Sequence, residues 1–412
     1  MKKYIIIIIS LFLGFLNVSV FATNEKIPYT KVEIKLLMKK VADWQIKHQR
    51  EVRHHPLDWT NATLYIGMAK WAELADKVDK DEKYYKWLVN VGNRYLWKAN
   101  KRMYHADDLA VCQMFIDVYN RYKDKSMLKP TIERIDWIID HPSKGSLIID
   151  YANQTTLERW SWCDALFMAP PIFPRLYKET GNEKYLQSMD KEYKASTIFL
   201  YDLEEKMFFR DSRYFYQREA NGKKVFWGRG NGWVLGGLTE MLKDLPKKNS
   251  YRNFYEELFV EMCGRMVEIQ QPDGFWHASL LDPETYAAPE TSCTNFIIYA
   301  LAYGINEGLL DKATYLPTLL KSWKAVLGTI DSEGKLGYVQ PIGADPKKVT
   351  KDMTERKTKM IELGDAFIAF PGGTGTLEEI TEVMSKLSLN QLSAPCIFYN
   401  LNGYYDASHG RS

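Results

Sequence analysis

A polar turn recurs along this chain, each time in the same surroundings. The stretches 77–87, 122–130, 178–186, 245–255 and 306–317 each separate an apolar helical pattern from a second helix that opens with an aromatic residue or Leu. Within the helices, apolar residues recur at three and four positions, as in Ile34, Leu37, Met38, Val41 and Trp44 or Leu109, Cys112, Phe115, Ile116 and Tyr119. That is the period of a helix with one buried face. No convincing alternating strand occurs between about residues 30 and 330. A spacing of roughly 45 to 65 residues is one helical hairpin per repeat and implies five or six hairpins. Such hairpins stack in an open solenoid or close into a ring. The loops between them are rich in aromatic, Asp and Arg residues, which fits closure better. The expected fold is therefore all-α, an (α/α)6 barrel of six hairpins with its site at one mouth.

Composition agrees with a large folded body. The chain has 412 residues, 46% of them hydrophobic, which excludes disorder for its bulk. Aromatic residues make up 14%, including 12 Trp and 26 Tyr, enough to serve both a core and a cleft that stacks on sugar rings. Residues 1–22 read as a signal peptide: Lys2 and Lys3, an apolar run over 5–16, and Val20-Phe21-Ala22 before the cut. Export is expected, with a bacterial periplasm as destination and no membrane attachment after cleavage. Removing Lys2 and Lys3 takes the formal charge from +3 to +1, which gives no reason to expect nucleic acid as a partner. The five cysteines (Cys112, Cys163, Cys263, Cys293 and Cys396) are widely spaced with no CxxC pair, and read as buried thiols, not as a disulfide framework or zinc site.

The character changes near residue 353. Trp residues occur only between Trp44 and Trp323. After 353 an apolar run at 365–370 leads into the glycine loop 371–376, a helix over 377–387 and a second apolar run at 394–400. Strand, glycine loop, helix and strand make half of an α/β unit. Three segments follow: 1–22, 23–352 and 353–412.

Three clusters could carry chemistry. In His105-Ala106-Asp107-Asp108-Leu109, one Asp suffices to cap the helix, which leaves the second available. In Trp160-Ser161-Trp162-Cys163-Asp164, a carboxylate stands in an apolar stretch between indoles. Desolvation there favours the protonated form that a general acid requires. In Phe226-Trp227-Gly228-Arg229-Gly230-Asn231-Gly232-Trp233, glycines permit close approach, Arg229 offers a fork for a carboxylate, and the indoles offer stacking faces. Its bland alternative is a turn with Arg229 capping a carbonyl. Upstream, the stretch Phe209-Arg210-Asp211-Ser212-Arg213-Tyr214 adds more cation through its two arginines, and together these point to an anionic sugar. The run Pro289-Glu290-Thr291-Ser292-Cys293-Thr294 opens another helix, where capping by a hydroxyl is the favoured reading.

These motifs, HADDLA (105–110), WSWCDALFMAPP (160–171), FFRDSRY (208–214), FWGRGNGW (226–233), QPDGFW (271–276) and PETSCTN (289–295), occur in the order seen in glycoside hydrolase family 105, the unsaturated rhamnogalacturonyl hydrolases. The chain from about 30 to 352 resembles that family and, more distantly, family 88. The resemblance implies an (α/α)6 barrel with no metal or cofactor. It implies a substrate with a 4,5-unsaturated uronic acid at its non-reducing end, left by a polysaccharide lyase. The vinyl ether is hydrated: an Asp protonates C4, water adds at C5, and the hemiketal opens to expel the neighbouring sugar, typically rhamnose, with pectin as the default source. By the same resemblance Asp164 is the catalytic acid/base and Asp108 the second functional carboxylate, with Asp107 the lesser reading of that position. The implied substrate contacts are Trp162, Arg229, Trp233, Arg210, Asp211, Asn231, Trp59, Asp107, His105 and Thr291. Arg210-Asp211 stands where some members carry a His, and Cys293 stands where Gly is common. A sugar-binding toroid without catalysis is the rival reading.

The stretch 353–384, with NLNGYYD at 400–406, resembles a different family, the "lonely guy" nucleoside-monophosphate phosphoribohydrolases. Its PGGxGTxxE loop at a helix N-terminus would cradle phosphate. That match implies catalytic Arg356 and Glu379 and nucleotide contacts from Gly372, Gly373, Gly375 and Thr376. The family's first strands and helices are missing, so the tail reads as a non-functional fragment joined in a chimaera at 353–355, where both patterns agree.

Overall fold

The polar turns of the sequence become the turns of helical hairpins. In the computed structural model the described residues are 30–49 and 54–348, with backbone alone at 367–369 and 396–398. The expected signal peptide lies outside them. The chain divides into two compact units, Met1–Pro346 and Lys347–Ser412.

The first unit alternates outer and inner helices. The outer ones are α1 (Lys31–His48), α3 (Lys83–Arg94), α6 (Lys125–Asp140), α9 (Lys184–Leu200), α11 (Arg252–Glu268) and α13 (Lys312–Leu327). The inner ones are α2 (Trp59–Asp79), α5 (Val111–Tyr122), α8 (Ile172–Thr180), α10 (Gly228–Asp244) and α12 (Thr291–Glu307). One-turn helices α4 (Ala106–Leu109) and α7 (Ala165–Met168) precede α5 and α8.

Burial separates the rings. Every residue of α10 from Gly228 to Leu242 is buried, whereas α13 buries one face around Leu319, Trp323 and Val326. Inner helices touch neighbours on both sides, so α10 and α12 carry apolar or small residues all round. Side chains are absent where the contacts are closest. A Cβ on Gly236 would come 2.7 Å from the Phe296 ring, and one on Gly237 would strike the Leu166 carbonyl.

The turns explain their own composition. Lys80, Lys123, Gly181 and Gly308 end inner helices with positive φ of 58°, 58°, 71° and 75°, a conformation that unwinds a helix end. Asp124 and Asp311 then cap α6 and α13 by accepting from backbone N–H groups. The inner helices therefore all end at one mouth of the ring and all begin at the other.

Near the end where they finish, a buried ion network ties them together. Lys70 of α2 lies 3.0 Å from Asp117 of α5 and 3.4 Å from Glu240 of α10. Arg175 of α8 pairs with Glu240 and sits 3.2 Å from Asp244. Lys243 is 3.2 Å from Glu240, whose Oε1 also accepts from the Tyr299 hydroxyl of α12. Burial alone would raise the Glu240 pKa, but Lys243, Lys70 and Arg175 hold it well below the usual carboxylate range.

A two-residue antiparallel pair, β1 (Tyr201–Asp202) with β2 (Met207–Phe208), follows α9, in a stretch where no strand was expected. In the second unit, β3 (Phe367–Ala369) pairs in parallel with β4 (Cys396–Phe398), Ile368 facing Ile397. These are the two apolar runs that flank the glycine loop.

Candidate active site

The site clusters precede the inner helices, so the up-and-down topology brings them to one mouth. Asp58 caps α2 beside Trp59, 105–108 leads into α5, 160–164 into α7, 226–229 into α10 and 289–291 into α12. Five helix N-termini facing one mouth favour a negatively charged guest.

Two carboxylates stand there with raised pKa values. Asp164 keeps 12% of its side chain exposed. Burial raises its pKa, opposed chiefly by Arg210, whose Nε lies 3.4 Å from Oδ2. Cys163 Sγ donates to the same oxygen at 3.6 Å. Asp107 keeps 21% of its side chain exposed and is pushed up to about 7, first by burial and then by the charge of Asp164. Both carboxylates are thus pushed towards the protonated form, each first by burial, and the Asp164 charge adds to the push on Asp107. His105 buttresses them. Its Nδ1 accepts from Asp107 N at 3.3 Å, its ring lies 4.9 Å from that of Trp162, and burial with Arg102 nearby lowers it to about 4. It is neutral at pH 7.

Asp108 is placed otherwise than the sequence reading has it. Arg102 N donates to its Oδ2 at 2.8 Å, and Arg102 Nε and Nη2 donate to its Oδ1 at 3.1 and 2.6 Å. It is buried and ties down the 100–102 loop, while its neighbour Asp107 faces Asp164. On a helix, adjacent residues point about 100° apart, so only one of the pair can enter the mouth.

Several expected contacts are likewise framework. Asn231 is fully buried: its Oδ1 accepts from Phe208 N at 2.8 Å, and its Nδ2 donates to the Phe208 and Trp227 carbonyls at 3.1 Å each. Thr291 Oγ1 donates to Gly337 O at 2.8 Å. Asp211, also fully buried, accepts from Arg210 at 2.6 Å and from Arg213 Nε and Nη2 at 2.9 Å each. Trp162 is buried against His105. Trp233 packs on Phe167 and Phe296, 4.8 and 4.5 Å between centroids, with Trp59 edge-on at 6.0 Å. Its Nε1 has no hydrogen-bond partner among the described residues, and Trp59 is half-buried beside it.

Arg229 follows the bland alternative. Its Nε donates to Ser292 Oγ at 2.8 Å, its Nη1 to Pro341 O at 3.0 Å and its Nη2 to Gln340 O. It anchors a strap over 337–345. Trp227 Nε1 donates to Gln340 Oε1 at 2.9 Å, Gln340 N to Glu290 Oε1 at 3.2 Å, and Tyr214 OH to Asp345 Oδ2 at 2.7 Å. Glu290, not a hydroxyl, caps α12 by accepting from Ser292 N and Cys293 N. Neither Arg102 nor the strap carries a signal in the sequence, and nor does Tyr151, whose hydroxyl accepts from Arg210 Nη1 at 2.8 Å; each lies in an ordinary-looking loop. Cys112, Cys163, Cys263 and Cys293 are buried free thiols. Among the described residues no group of His, Cys, Asp and Glu could hold a metal ion, and no helix is long and apolar enough to cross a membrane.

The family model for Glycosyl Hydrolase Family 88 matches residues 37–369. This chain belongs to that family. An unsaturated 3S-rhamnoglycuronyl hydrolase from Formosa agariphila is 39% identical over 328 residues, 78% of this hydrolase and 86% of the relative. A glycosyl hydrolase family 88 structure from Bacteroides vulgatus superposes with a TM-score of 0.67 at 29% identity, covering 76% of this chain and 90% of that one. A structure described as a polysaccharide lyase superposes with a TM-score of 0.68 at 31% identity, over 77% and 90%. The first unit is thus the all-α six-hairpin barrel of a glycoside hydrolase acting on unsaturated uronyl sugars.

A second family is matched over a shorter stretch of the chain. A cytokinin riboside 5'-monophosphate phosphoribohydrolase from Rhodococcoides fascians is 53% identical over 103 residues, 25% of this chain and 51% of that protein. The chain spans about half of that relative and is a chimaera of the two patterns. Arg356, Gly372, Gly373, Gly375, Thr376 and Glu379 lie outside the described residues.

Proposed function

We propose that this hydrolase removes a 4,5-unsaturated uronyl residue from the non-reducing end of lyase-generated oligosaccharides by hydrating its double bond. The observation that carries the reading is the placing of Asp107 and Asp164 together at the mouth, both partly exposed and both with pKa values raised by burial. Asp164 delivers that proton to C4. Positive charge developing at C5 is shared with the ring oxygen, and water adds there, returning a proton to the carboxylate pair. The hemiketal then opens and releases the next sugar. Asp107, not Asp108, is the second carboxylate of this scheme, because Arg102 occupies Asp108.

The curated relatives are named for a 3S-rhamnoglycuronyl unit, in Formosa agariphila and in an Alteromonas strain. We take the released sugar here to be rhamnose with sulfate at position 3, in place of a pectic rhamnose. The segment 1–22 directs export to the periplasm, which N-terminal sequencing of the mature protein tests.

The test of activity is the ultraviolet absorbance of the double bond in lyase-digested sulfated rhamnoglycuronan and in digested rhamnogalacturonan. Hydration lowers that absorbance. Since a structural neighbour bears the name of a lyase, the sign matters: elimination from intact polymer raises it. An unchanged signal with both digests would refute the reading.

A further inference from the structure

One chain of side chains beside the carboxylates has no part in the hydration step. Arg210 touches Asp164, and its Nη1 donates to the Tyr151 hydroxyl at 2.8 Å. Arg213 Nη2 approaches the same hydroxyl at 3.4 Å, and its guanidinium lies 4.6 Å over the Tyr151 ring. The loop carrying Tyr151 is tied to the same segment, Ile149 N donating to Ser212 Oγ at 3.0 Å. Exposure rises along the series. The side chains of Asp211, Arg210 and Arg213 are 0%, 12% and 41% exposed, and Tyr151 is 46% exposed.

Charge and donors point the same way. Two guanidiniums face Asp211 and Asp164, and when Asp164 holds its proton the group carries one net positive charge. Asp211 is sealed beneath the arginines. Arg210 Nη2 and Arg213 Nη1 make no hydrogen bond among the described residues, which leaves planar N–H donors suited to a tetrahedral oxyanion. The non-reducing end of the substrate must reach the acid, so the rest of the oligosaccharide extends towards solvent. Arg213 is the more exposed of the two arginines and shares Asp211 and the Tyr151 hydroxyl with Arg210.

We propose that Arg213, with Tyr151 and Arg210, forms a sulfate-binding arm for the leaving sugar. This rests on the hydration reading above and assigns it a determinant of selectivity. The substrate carries two anions, the sulfate and the uronyl carboxylate, and the test separates them. The experiment measures kcat/KM on one unsaturated uronyl-rhamnose disaccharide, 3-sulfated and desulfated, with wild type, Arg213→Gln and Arg213→Lys, melting temperatures being recorded. Wild type prefers the sulfated form. Arg213→Gln lowers the preference ratio about ten- to a hundredfold, the scale of a lost charge-assisted hydrogen bond. Arg213→Lys keeps the charge without the fork and loses part of the ratio; it carries the test if the Gln variant does not fold. Sodium sulfate inhibits wild type more than sodium chloride at equal ionic strength, and the gap narrows in Arg213→Gln. Equal losses on both disaccharides would assign Arg213 to the carboxylate or to structure and overturn the arm alone. No turnover of either form by wild type would overturn the hydration reading, and the arm with it.

Discussion

Glu240 and Asp164 are buried carboxylates on the same ring of helices, yet their surroundings drive them in opposite directions. Glu240 lies within 3.4 Å of Lys70 and 3.2 Å of Lys243, pairs with Arg175 and accepts from Tyr299. Its charge is fully compensated, and it is held ionised. Asp164 has one guanidinium at 3.4 Å, a thiol, and Asp107 as neighbour. Its charge is less compensated, and burial shifts its pKa upward. Burial penalises the charge of both; the number of aimed cations decides which becomes a stitch and which a proton donor.

The comparison can be broken at several points. Asp107→Asn should lower kcat by about 10²- to 10⁴-fold while the protein stays folded, the usual loss on disabling acid–base chemistry; steady-state kinetics with circular dichroism check this. Glu240→Ala should leave Arg175, Lys70 and Lys243 buried without their shared anion and cost about 3–5 kcal/mol of stability, read by urea denaturation. Asp108→Asn should cost about 1–3 kcal/mol of stability by releasing Arg102, with a smaller fall in kcat than Asp107→Asn. If Asp108→Asn proved the more damaging to kcat, the assignment of Asp107 would be wrong.

The smallest effect separates the two ends by pH. Glu240 has a depressed folded pKa, so its stabilisation is present above its unfolded value of 4.5 and is lost as pH falls. Asp107 has a raised folded pKa of about 7, so its contribution is present at low pH and is lost as pH rises through 7. Asp107→Asn should therefore melt at a higher temperature than wild type at pH 8 and gain less at pH 5. Activity should fall above pH 7 as Asp107 loses its proton.

Much of this was legible in the sequence. The polar turns located the hairpins because each turn must carry its own helix-ending and capping residues, as Lys123 and Asp124 do. The indoles around Asp164 marked a dry carboxylate. The choice between Asp107 and Asp108 was not legible, because it depends on Arg102 returning from a loop. Arg229, Asn231 and Thr291 looked like substrate contacts because they stand in a motif-dense mouth. Their partners, the carbonyls of Gln340, Phe208 and Gly337, are distant in sequence and carry no side-chain signature. The ion network escaped notice because Lys70, Arg175 and Glu240 look like surface charges until the inner ring is assembled.

The most direct measurement follows double-bond absorbance in lyase-generated unsaturated oligosaccharides with wild type and with Asp164→Asn, at pH 6. The account predicts steady loss of absorbance with wild type and at least a hundredfold slower loss with the variant. Equal rates for the two proteins would contradict it.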